Sequence, residues 1–304
     1  MKMTFNACVG AGLLMALFTI ASCKKDASQQ TTTAVSNEEA TTMSQENAEA
    51  EGDYDDVTEI GLSAGADLEV AAKATTEAGF NAAGGNLGAR LDLFADLYFK
   101  LGPCATLTVS PNDSTFPKTV TIDYGTAGCL CRDGKFRRGI ITLNFTAPIR
   151  RAGAVLTITF QDYYVNRKHV EGVKIITNLR ADGAIKYSVQ VKDGKISWPN
   201  GRWFTHTSLK TVTQIQGMDT RTVRDDVYSI DVHAENKYAN GTTVVRDTKE
   251  PLIKPVACEW IVKGILKIKI NNATFYIDFG NGNCDNKAVL TNVQINASID
   301  IILP

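Results

Sequence analysis

The sequence predicts an all-β protein, an antiparallel meander built as a sandwich or as a curved half-barrel sheet, preceded by one N-terminal amphipathic helix. Three observations lead there. From Cys104 onward, apolar residues recur at every second position, the spacing that turns one strand face into a core. Between those runs stand dipeptides that favour tight turns, and short turns force neighbouring strands to run antiparallel. Just before the first strand lies one stretch with helical spacing.

The composition sets the outer bounds. The chain has 304 residues, 32 Lys+Arg against 33 Asp+Glu, 3 His and a net charge of −1, and 44% of its residues are hydrophobic. That apolar content can bury a core, which excludes disorder throughout. Near-neutrality speaks against a bulk nucleic-acid binder. Only one apolar run exists, Ala7 to Ile20, which excludes a polytopic membrane protein.

That run follows Lys2, is too short to span a bilayer comfortably, and ends Ile20-Ala21-Ser22-Cys23. Residues 1–22 read as a signal peptide. Small residues followed directly by cysteine resemble the bacterial lipobox, which makes Cys23 the lipidated first residue of the mature chain. Several acyl chains on one residue anchor a protein stably. The expected location is the cell envelope, and the absence of Asp directly after Cys23 favours the outer membrane.

Residues 23–65 are rich in Thr, Ser, Gln, Ala and Glu, with few large apolar side chains. They read as a disordered acidic tether. Residues 24–69 hold 12 acidic and 2 basic side chains, a net −10; with +1 in the signal peptide, residues 70–304 carry +8. Residues 66–103 form a helical N-terminal segment. Within it Leu87, Leu91, Phe94, Tyr98 and Leu101 share one helix face, and Gly102-Pro103 stops the helix.

The β domain spans 104–304. Val120, Ile122 and Tyr124 alternate with polar residues, as do Ile141, Leu143 and Phe145; Leu156, Ile158 and Phe160; and Tyr187, Val189 and Val191. Val293, Ile295, Ala297, Ile299, Ile301 and Leu303 make one longer run. Asp133-Gly134, Asp182-Gly183, Asp193-Gly194, Asn200-Gly201 and Asn240-Gly241 mark hairpins. Such spacing accommodates roughly ten to twelve strands.

Within this domain a module is duplicated, at 104–131 and 258–286. Both copies read I-D-aromatic-G-x-x-x-C, at Ile122–Cys129 and Ile277–Cys284, with Cys104 lying 25 residues before Cys129 and Cys258 lying 26 before Cys284. In an oxidising compartment this predicts disulfides Cys104–Cys129 and Cys258–Cys284. Cys131 is left over, and could replace Cys129 as the partner of Cys104. Asp123 and Asp278 form either a symmetric carboxylate pair or, on the simpler view, turn residues bonded to nearby amides. Asn281, Asn283, Asp285 and Asn286 faintly resemble a calcium loop without EF-hand spacing.

H-E-x-x-H and a phosphate-binding loop are missing. The best constellation is Asp231, His233 and Glu235, alternate residues on one strand face, which could hold a metal or serve a hydrolase; a solvated strand face is the simpler alternative. Trp198 and Trp203 flank the Asn200-Gly201 turn as a possible sugar-stacking pair or a cross-strand packing pair. Asp113-Ser114-Thr115 resembles a bacterial O-glycosylation acceptor. No cofactor is called for.

Four stretches, FPKTVTIDYG with its Cys, YYVNRKHVEG, EPL with the following CEWIVKGIL, and IDFGNGNCDNKA, resemble a family of uncharacterised bacterial lipoproteins over most of the mature chain. The resemblance implies relatives and no activity.

The resulting expectation is a non-catalytic lipoprotein whose β domain binds an envelope component, a glycan or a partner protein. The +8 charge favours an anionic envelope lipid or acidic glycan, unless the acidic segment itself neutralises the domain. The alternative is a carrier whose curved sheet encloses an apolar ligand.

Overall fold

The computed structural model describes residues 37–76, 101–180, 185–219 and 225–303. After helix α1 (Asn37–Thr76) and a short 3-10 turn (Gly102–Cys104) come fourteen strands. They are β1 (Thr106–Ser110), β2 (Lys118–Asp123), β3 (Cys129–Leu130), β4 (Phe136–Phe145), β5 (Val155–Val165), β6 (Lys168–Asn178), β7 (Lys186–Ser197), β8 (Trp203–Gln216), β9 (Val227–Tyr238), β10 (Thr243–Pro255), β11 (Lys263–Ile270), β12 (Ala273–Asn281), β13 (Lys287–Asn292) and β14 (Ala297–Ile302). All pair antiparallel in chain order in one unclosed sheet, except β3, which hangs on the end of β4. The all-β meander is therefore a single open sheet rather than a sandwich.

The alternation read from the sequence sets the faces. Val120, Ile122, Ile141, Leu143, Leu156 and Ile158 are fully buried on the inner face. Long strands are bent by β-bulges, at Gly139, Gly172 and Gly264 among others. Asp193-Gly194 belongs to this set. It falls inside β7 at a register shift between Val191 and Gly194, not at a hairpin. A Cβ on Gly172 would lie 2.7 Å from the Gly194 Cα, so neither chain can carry a side chain where they cross. Val293–Leu303 is not one strand either. β13 and β14 form a hairpin whose turn includes Asn296 at φ +50°, which the unbroken apolar alternation hid.

The main correction concerns residues 37–65, expected as disordered tether. They belong to the 40-residue α1, which lies on the inner face of the sheet. Ala50, Tyr54, Val57, Ile60, Ala64 and Leu68 form its buried stripe, packed in one cluster with residues of β1, β2 and β4–β8. Small residues let it approach closely: a Cβ on Gly65 would come within 2.8 Å of Ile149 and 3.0 Å of Phe145. The acidic side chains that suggested self-repulsion find cations instead. Asp56 pairs with Arg137 at 2.6 Å and Lys135 at 3.2 Å, Asp53 with Lys168 at 2.6 Å, Asp55 with Lys210 at 2.7 Å, and Glu51 with Lys210 at 2.9 Å and Arg246 at 3.1 Å. Glu46 meets Arg202. The negative segment is thus matched internally by the positive domain.

The expected helix face Leu87–Tyr98 lies outside the described residues; Leu101 is described and is buried in the α1 cluster. Both expected disulfides are formed, Cys104–Cys129 and Cys258–Cys284, each with Cα atoms 5.7 Å apart. The two modules stand at opposite ends of the strand order, not side by side.

Candidate functional site

The inner face divides unevenly. The apolar stripe of α1 packs on the N-terminal half of the sheet. A second apolar cluster, built by residues of β10–β13 such as Leu252, Ile268, Phe275, Ile277 and Leu290, takes only Met43 from α1 among the described residues. What remains between α1 and this half is a hollow of about 400 Å³. Its sheet wall is Ile230, Val232, Leu252, Leu266, Ile277, Phe279 and neighbours; its helix wall is Ser44, Gln45, Glu51, Gly52 and Asp55. The volume lies within the ~300–1,000 Å³ typical of small-molecule sites, and the apolar floor with a few polar groups is their usual chemistry.

The charged lining residues are Glu51, Asp55, Lys210, Arg246, Lys254 and Glu259; behind them, outside the lining, stand Lys174 near Asp55 and His206 near Glu51. Burial would raise the Glu51 carboxyl, but Lys210 and Arg246 outweigh it and hold the group well below the ordinary range. His206 is fully buried and pushed down by desolvation; its Nδ1 lies 2.6 Å from Asn236 Oδ1 and its Nε2 3.1 Å from Ser208 Oγ. Its ring stacks on Tyr54 with centroids 5.0 Å apart. Lys174 donates to the Tyr54 carbonyl at 2.6 Å, and burial pushes it down to about 8. Lys254 lines the hollow, is lowered by burial, and donates to the carbonyls of Pro255 and Cys258. The arrangement presents an apolar surface bounded by fixed charge.

The sequence candidates sit elsewhere. Asp231, His233 and Glu235 share the outer face of β9 as expected. The structure does not gather them into a site: His233 pairs with Asp247 on β10 at 2.6 Å, and Glu235 with Lys237 at 3.0 Å. Trp198 and Trp203 do not act as a pair. Trp198 packs inward on Phe204 with centroids 5.3 Å apart, while Trp203 is exposed under the Lys195 ammonium. Asp123 ends β2 and Asp278 lies within β12, and their carboxylates are bonded to nearby amides. Each accepts a hydrogen bond from the glycine amide two positions on, Gly125 at 2.7 Å and Gly280 at 2.8 Å. Asp285 likewise accepts from the Lys287 amide at 3.0 Å, and Asp113 from Thr115 at 2.8 Å. Among the described residues the one cluster of three metal-ligating side chains is Cys104, Cys129 and Cys131, two of them joined as a disulfide. Cys23 lies outside the described residues.

The hollow itself was not anticipated as a residue set. Its floor was visible as the inward phase of β9–β14; its other wall was hidden in the segment expected to be a tether. No described helix is long and apolar enough to cross a membrane. Comparison with family models, with curated proteins and with solved structures gives no match.

Proposed function

We propose that the protein is a lipid-anchored carrier or sensor of a hydrophobic ligand, which binds an apolar chain between α1 and the C-terminal half of the sheet. The hollow carries this reading: about 400 Å³, floored by Ile, Leu, Val and Phe. A ligand with an apolar body and a polar end fits it, because buried apolar surface gives about 25 cal/mol per Å² while the charged rim offers partners to a polar group. The lipobox at Ile20–Cys23 supports attachment through Cys23, in the cell envelope and at the outer membrane. There the ligand class would be at hand as lipid.

Titration of the detergent-free mature chain with a fluorescent fatty acid tests the reading. Saturable 1:1 binding, reduced at least tenfold by Leu266→Trp, is expected. Equal fluorescence change in wild type and variant, or none in either, would overturn it. Radiolabelled palmitate incorporation, lost in Cys23→Ala, tests the anchor.

A further inference from the structure

Three sulfur atoms meet at the first module. Cys104 and Cys129 are joined, Cys131 is free and buried, and the three sulfurs lie within 4.8 Å of one another. The Cys104 sulfur lies 3.0 Å from the carbonyl oxygen of Leu130, the residue between the other two cysteines. Backbone pairing fixes this arrangement. Cys129 pairs with Arg137 and Leu130 with Phe136, and the Cys131 amide donates to the Lys135 carbonyl at 2.9 Å. The second module supplies an internal comparison. It is closed by Cys258–Cys284 with Asn283 and Asp285 on either side and no third sulfur. A pin of this kind therefore needs only two cysteines, and the third has no structural counterpart.

We propose that Cys131 makes the first pin exchangeable, so that Cys104 alternates between Cys129 and Cys131. The Cys131 thiolate attacks the Cys104 sulfur. A Cys104–Cys131 bond forms, the Cys104–Cys129 bond breaks, and the electron pair leaves on Cys129. The proton released from Cys131 to solvent is matched by one taken up at Cys129, and no outside oxidant or reductant enters. The exchange moves the free thiol from buried Cys131 to half-buried Cys129. Exchange runs through the thiolate. Desolvation raises the Cys131 thiol, with the Arg137 guanidinium working against it, so the rate rises with pH.

Slow alkylation of the folded full chain with iodoacetamide at pH 8, followed by site-resolved peptide mapping, tests this. Label is expected on Cys129 as well as Cys131, with the Cys129 label lost in Cys131→Ser and in Cys131→Ala. Label confined to Cys131 would overturn the exchange. So would a Cys129 label that survives in the Cys131 variants, since it would then report incomplete oxidation. A Cys129→Ser chain purified without reductant should contain Cys104–Cys131; free thiols at both positions would equally refute it.

Discussion

Replacing two glycines of α1 by alanine separates a docked helix from a loose one. Gly→Ala in a helix interior gains about 1 kcal/mol of intrinsic propensity wherever the helix exists. At Gly52 the added Cβ has no heavy atom within 4 Å, so only that gain operates. At Gly65 the Cβ would stand 2.8 Å from Ile149 Cγ2, 3.2 Å from Ile149 Cβ and 3.0 Å from Phe145 Cε1. Ile149 is 2% and Phe145 1% exposed, and a β-branched side chain so enclosed has little room to rotate away. Overpacking of this kind costs about 1–3 kcal/mol. Because the propensity term is common to both, the difference between the two variants isolates the packing term. Gly52→Ala should stabilise by about 1 kcal/mol, and Gly65→Ala should fall about 1–3 kcal/mol below it. Urea unfolding monitored by Trp fluorescence, with the m-value held as a check that the same surface unfolds, measures both. Equal stabilisation by the two alanines would mean that α1 does not rest on Ile149 and Phe145, and the docking argument would fail.

Three further expectations concern the charges under α1. Arg137→Met removes the 2.6 Å partner of Asp56, which is 4% exposed; a loss near 3 kcal/mol is expected, at the lower end of about 3–5 for a broken buried pair, and a neutral result in urea unfolding would refute it. Glu51 is held below its ordinary range, so its contribution is present above the unfolded value of about 4.3 and disappears as pH falls through the folded one; Glu51→Gln should flatten the acid limb of the stability curve below about pH 4. Lys174 is depressed to about 8, so between there and its unfolded value of about 10.4 the unfolded chain holds more protons and stability should rise with pH. That rise should be absent from the difference curve if Lys174→Met behaves like wild type, which would contradict its burial.

How far the sequence reaches differs between sheet and helix. In a meander each strand is paired by its chain neighbour, so period-2 alternation and local turn chemistry were enough to place β2, β4, β5 and β7. They failed where local signals are ambiguous: Asp193-Gly194 has the residues of a turn and forms a bulge, and the apolar alternation of Val293–Leu303 runs straight through a real turn. α1 was missed for a different reason. Its buried stripe of Ala50, Tyr54, Val57, Ile60, Ala64 and Leu68 has helical spacing, but two of the six are alanines, whose burial depends on the sheet they touch. Its carboxylates read as repulsive because their partners lie on distant strands. Charge arithmetic held the better clue, a −10 segment beside a +8 domain. Trp198 and Trp203 flank the Asn200-Gly201 turn, and His233 lies in β9. Which neighbours they meet, Phe204 for Trp198 and Asp247 for His233, is decided across the sheet.

The ion pairs beneath α1 also order events in time. Hairpins of the meander close over a few residues, whereas Asp56 and Arg137 are 81 residues apart and Glu51 and Arg246 are 195 apart. Contacts of such long sequence separation form late, because the loop they close must be paid for in entropy first. A nascent chain emerging α1-first therefore waits for β10 before its helix can seat. One wall of the apolar hollow is that helix, so the cavity comes into being only with the final docking step. Until then the inner faces of β10–β13 are uncovered apolar surface, so the hollow and the seated helix arise in the same step.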